Sequence, residues 1–81
     1  MGSKRFGGIL FIAHPLDHHP PHVHAYVGSA RLVFELTIDG RVILAKRSNT
    51  GRATRAEIRN ALEIAAEHFV ALVELWENAH A

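Results

Sequence analysis

The chain has 81 residues, 48% of them hydrophobic and 21% charged, with a formal net charge of +1 when histidine is neutral. That length holds one domain with a modest core. The absence of cysteine excludes disulfides and thiolate metal sites, so any metal must be held by imidazole and carboxylate. The longest apolar stretches, residues 7–13 and 70–73, are far too short to span a bilayer. No basic start followed by an apolar run and a small-residue cleavage site opens the chain, and the expectation is a soluble, cytoplasmic protein.

In chain order, residues 7–13 read as a short β-rich run and 14–21 as a polar, proline-marked connection. Residues 22–27 and 31–38 alternate apolar and polar side chains around Gly28-Ser29, which suits a two-residue hairpin with glycine first. Asp39-Gly40 then turns the chain into a strand over 42–45. Facing residues of an antiparallel pair share a face, so this first hairpin sets Val27 against Ala30, Ala25 against Leu32 and Val23 against Phe34 on an apolar side. The other side pairs Tyr26 with Arg31, His24 with Val33 and His22 with Glu35. Carried through Asp39-Gly40, the register places Leu36 beside Ile43 and Phe34 beside Ala45, and adds Val42 and Leu44 to the histidine side. A half-apolar sheet face of that kind is a surface for a second copy or another protein to cover.

Residues 54–78 read as one amphipathic helix opened by the capping box Thr54-x-x-Glu57. Ile58, Leu62, Ala65, Phe69, Leu72, Val73 and Trp76 recur with helical period and form its core stripe, flanked by a weaker one of Ile64, His68, Ala71 and Leu75. At 1.5 Å per residue the helix approaches ~36 Å against about 20 Å for a strand of six, so its C-terminal end overhangs the sheet. Trp76 reads as a packing anchor. The expected fold is a single α+β domain over 1–81, an antiparallel sheet of three to four strands packed against one long C-terminal helix.

The chemistry concentrates in Asp17-His18-His19-Pro20-Pro21-His22-Val23-His24, since five of the seven histidines fall between His14 and His24. Imidazole binds transition metals and moves protons near neutral pH, and the two prolines stiffen the backbone that presents it. These residues, preceded by Gly8 and Phe11 and followed by the helix ending Leu72-x-x-x-Trp76, resemble domain-of-unknown-function family 4160, a bacterial family of small proteins with an acidic residue and histidine ahead of Pro-Pro-His-Val-His. The resemblance runs from about Phe6 to Trp76 and carries the motif onto His18, Pro20, Pro21, His22 and His24, with Asp17 in the acidic place. It implies a toxin-like or regulatory component of a two-gene toxin–antitoxin-type cassette, beside an antitoxin-like partner of domain-of-unknown-function family 2442.

Three readings of the histidines compete. In one, His22 and His24 with one of His14, His18 or His19, of which His18 belongs to the motif, bind Zn²⁺ or another divalent metal, and Glu35 orients His22. In another, His22 and His24 act as general base and acid on RNA, with Glu35 in support and Arg31 or the Lys46-Arg47 pair at the phosphate. In the third the cluster is structural, and the protein is an interaction module that binds a partner or its own copy. All nine Lys and Arg precede Asn60. Lys46, Arg47, Arg52 and Arg55 make a basic patch suited to nucleic acid, or else a solvated rim.

Overall fold

Gly7 and Gly8 both adopt positive φ, +55° and +79°, the pairing that a two-residue hairpin turn of the primed type requires. They fold strand β1 (Gly2–Phe6) back onto β2 (Ile9–Ala13), with Phe6 opposite Ile9 and Gly2 opposite Ala13. The strand expected over 7–13 therefore starts at Ile9, and β1 is an addition to the expected sheet. Its signal was the diglycine itself, which reads as a turn before it reads as strand. The structure, a computed structural model, describes residues 2–45 and 49–80.

The hairpin of β3 (His22–Val27) and β4 (Ala30–Leu36) has the expected register from Val27 opposite Ala30 to His22 opposite Glu35. The next hairpin does not. Thr37 N–H donates to Arg41 O at 2.8 Å, Arg41 N–H donates back to Thr37 Oγ1 at 2.8 Å, and Gly40 sits at φ +86°. Ile38, Asp39 and Gly40 thus form a three-residue loop closed by a left-handed glycine, rather than the two-residue Asp39-Gly40 turn. One extra loop residue moves β5 (Val42–Leu44) by one: Leu36 faces Val42, Glu35 faces Ile43 and Phe34 faces Leu44. Val42 and Leu44 accordingly pack against the core and Ile43 turns to the histidine face, the reverse of the expectation.

The result is a five-stranded antiparallel sheet in the order β1-β2-β3-β4-β5, larger than the three to four strands expected. Every strand neighbours its sequence neighbours, so the 14–21 connection closes a simple meander. One face packs on the helices through Phe11, Val23, Ala25, Leu32 and Phe34, all 0% exposed.

The capping box forms as expected: Glu57 N–H donates to Thr54 Oγ1 at 3.1 Å, and Thr54 N–H donates to Glu57 Oε1 at 2.8 Å. The single helix over 54–78 is instead two segments, α1 (Arg55–Glu67) and α2 (Phe69–Ala79), separated at His68 with φ −109° and ψ 28°. His68 N–H still donates to Ile64 O, and Leu72 N–H to His68 O, so the separation is a kink in a continuous ladder. The imidazole of His68 stacks on Phe6, 4.0 Å between centroids and 6° between planes, which pins the kink to β1. A straight rod cannot follow a twisted sheet from edge to edge. Kinked, α1 packs towards β5 and α2 towards β1 and β2. The kink also rephases the stripe: Leu75, assigned to the flank, is buried with Ala61, Ala65, Leu72 and Trp76, while Ile58, Leu62, Phe69 and Val73 are partly buried.

Candidate metal centre

Two hydrogen bonds set the start of β3. Leu36 N–H donates to Pro21 O at 2.9 Å, tying the proline pair to the end of β4, and His22 Nδ1 donates to Pro20 O at 2.9 Å. A carbonyl only accepts, so in a neutral His22 the lone pair lies on Nε2. That atom is 3.1 Å from Asp17 Oδ2, and His24 Nε2 is 3.3 Å from the same oxygen. His22 and His24 share a face because they are two apart on a strand. Asp17 comes from the connection, where its N–H donates to His14 O at 3.2 Å and its carbonyl accepts from His80 Nε2 at 2.9 Å. The C-terminal end of α2 therefore clamps the loop that delivers the carboxylate.

Trp76 completes the clamp. Its ring lies 5.2 Å from His22, 5.7 Å from His19 and 3.7 Å from His80, and it is 4% exposed. It is the packing anchor expected from its place on the helix. A groove of about 650 Å³ shares Trp76, His19 and Pro21 with this end of the molecule, but Asp17, His22 and His24 do not line it.

The imidazole of His24 is half-buried. Burial is the largest influence and pushes its pKa below the ordinary 6.5, partly opposed by the hydrogen bond and charge of Asp17 and reinforced by His14 and His22. Its Nδ1 is buried without a hydrogen-bond partner among the described residues, and the His14 and His24 rings meet edge to face with centroids 4.7 Å apart. A neutral imidazole is the form that ligates metal.

One donor atom from each of Asp17, His22 and His24 lies within 4.8 Å of the others, a group able to hold a metal ion. Ligands about 2.0–2.1 Å from one ion sit about 2.9 Å apart at right angles and about 3.4 Å apart in a tetrahedron. The observed 3.1 and 3.3 Å fall between these limits. A backbone carbonyl fixing the far nitrogen, as Pro20 does for His22, is the usual support for a ligating histidine.

Among the residues anticipated for chemistry, His22 and His24 come together and Asp17 joins them, whereas His18 is exposed and outside the group. Asp17 was legible as the motif's acidic residue but not as a donor, because only the folded connection carries it back over β3. Glu35 is opposite His22 in register but makes no hydrogen bond or ion pair with another described residue. Pro20 takes the orienting role expected of it, accepting from His22 Nδ1. Arg31 shares the histidine face opposite Tyr26 and is exposed. Arg52 and Arg55 are exposed at the entry to α1, and Lys46 and Arg47 lie outside the described residues.

The sequence profile of a family described as Domain of unknown function (DUF4160) matches residues 8–77. The chain belongs to that family. The DUF4160 match takes in the donor trio, four of the five strands and nearly all of both helices. No curated protein and no solved structure matches the chain. Among the described residues no helix is long and apolar enough to cross a membrane.

Proposed function

We propose that this DUF4160 chain binds one divalent transition-metal ion, Zn²⁺ or a similar ion, through Asp17, His22 and His24, and acts through the coordination positions these leave open. One observation carries the reading: the Nε2 atoms of both histidines converge on one carboxylate oxygen while Pro20 holds the proton of His22 on the opposite nitrogen. Three protein ligands, two imidazoles and a carboxylate, are the pattern of centres that keep a position for water or substrate. A metal there lowers the pKa of bound water and polarises a substrate oxygen. Within the cassette implied by the family resemblance, we place this centre on the toxin-like component.

The test is calorimetry on tag-free protein with Zn²⁺, Co²⁺ and Ni²⁺, read in parallel by fluorescence of Trp76, the single tryptophan. Because its ring is 5.2 Å from His22, saturable one-to-one binding with quenching by Ni²⁺ is expected, and Asp17→Asn shifts both titrations to about 100-fold higher metal concentration or more. Absence of saturable binding, or binding untouched by His22→Ala and His24→Ala, overturns the proposal. The metal-free alternative, acid–base cleavage of RNA by His22 and His24 with Arg31, is supported by the shared face of these residues. It is weighed down by Asp17 Oδ2, an anionic oxygen 3.1 and 3.3 Å from the two nitrogens, where a phosphate would have to approach. RNA cleavage that persists in EDTA and disappears in His22→Ala would select it.

A further inference from the structure

The face of the sheet away from the helices carries its charges in order. At one end of β4 Arg31 stands opposite Tyr26, at the other Glu35 stands between His22 and Ile43, and Val33 lies midway opposite His24. Arg5 extends the basic end, since it pairs with Leu10 on β2 and Leu10 pairs with Tyr26. Asp17 adds a second carboxylate at the acidic end. Between the two ends lie Ile12 and Val33 flanking His24, and Ile43 is 42% exposed. Neither the Arg31 guanidinium nor the Glu35 carboxylate forms an ion pair with a described residue.

We infer that this face packs against the same face of a second copy of the chain, about a twofold axis running across the strands at the level of Val33. Such an axis reverses strand direction, so it sets Arg31 of one protomer over Glu35 of the other and repeats the contact symmetrically. The two residues are four apart along the strand, each two from Val33, or about 6.6 Å on either side of the axis at ~3.3 Å per residue. The apolar middle row then meets its own image, and two stacked sheets bury it as in a sandwich. A bipolar face with an apolar centre is complementary to itself in this orientation. A twofold axis along the strands would instead set Arg31 over Arg31.

The inferred contact takes in the face that carries Asp17, His22 and His24, so the experiment is run in EDTA to test the dimer without the metal. Sedimentation equilibrium of the wild-type chain should give a dimer. Arg31→Glu alone, or Glu35→Arg alone, converts two attractive contacts into two repulsive ones and should weaken the dimer by about 100-fold or more. Mixing the two single variants in equal amounts should restore a dimer, because the two acidic groups of one variant then face the two basic groups of the other. The double variant Arg31→Glu/Glu35→Arg should dimerise by itself. Circular dichroism matching the wild type shows that each variant folds. A wild-type monomer at all concentrations overturns the proposal, as does a dimer indifferent to both single reversals or a mixture that stays monomeric.

Discussion

On the helix-covered side of the sheet Phe11, Val23, Ala25, Leu32 and Phe34 are fully shielded from water, whereas one residue further along the same strands His22, His24, Tyr26, Arg31 and Glu35 keep partial contact with it. Strand alternation lets one segment serve both sides. On β3, Val23 holds the core together while its neighbours His22 and His24 present nitrogens to Asp17. The separation implies that stability and chemistry are nearly independent here, because substitutions on opposite sides share few contacts.

The largest effect should come from the covered side. Phe34→Ala removes a fully buried ring of the core and is expected to cost about 3–5 kcal/mol, a large share of the ~5–15 kcal/mol of a typical domain. Urea unfolding measures it, and a loss under about 1 kcal/mol would break the contrast between the faces. On the open side, Asp17→Asn should leave the unfolding midpoint of the metal-free protein nearly unchanged while reducing metal affinity by about 100-fold or more, at least the loss seen when mere supporting partners are removed. Titration calorimetry and urea unfolding of the same sample sharpen the comparison.

The glycine turn repeats the contrast on a smaller scale. At Gly7 a Cβ would come within 2.6 Å of Ile64 Cδ1, on the helix side, whereas at Gly8 it would meet nothing within 4 Å. Both have positive φ, so alanine costs roughly 1–2 kcal/mol of backbone strain at either position, with the further displacement of Ile64 only at Gly7. Gly7→Ala should therefore unfold at lower urea than Gly8→Ala, and equal midpoints would contradict the packing of α1 over the turn. Thr54→Ala, which removes the hydroxyl half of the capping box, should cost about 1 kcal/mol without altering metal affinity.

The smallest effect is a pH dependence. Burial holds the pKa of His24 below 6.5, so the unfolded chain takes up this proton more readily than the folded one. The stabilisation is complete above pH 6.5 and is lost as pH falls through the lower folded value. Unfolding of the metal-free protein across that window should show stability rising with pH, with a shallower slope in His24→Gln. An unchanged slope in the variant would assign the dependence to other groups.

The β3–β4 register and the shared face of His22 and His24 were legible because Gly28-Ser29 fixes a two-residue turn and only one pairing gathers Val23, Ala25, Leu32 and Phe34 on one side. The capping box was legible for the same kind of reason, since Thr54 and Glu57 recognise each other within one turn of helix. The β4–β5 register was not, because Thr37 closes the loop one residue earlier than Asp39-Gly40 suggests, and a single residue reverses which side chains face the core. The kink at His68 was hidden as well. Helical periodicity runs smoothly through that position, and the ring that stacks on the kink is that of Phe6, more than sixty residues away in sequence.

The sequence by itself determined the elements whose signals are local: turns, caps, alternation, and the presence of imidazole and carboxylate without thiolate. Tertiary structure alone decided which carboxylate meets the two histidines. Asp17 reaches them because Pro20 and Pro21 turn the connection back over β3, and because His80 and Trp76 at the far end of α2 hold it there. Donors separated along the chain become one group only when the backbone between them is closed, and that closure depends on packing contributed by the last helix.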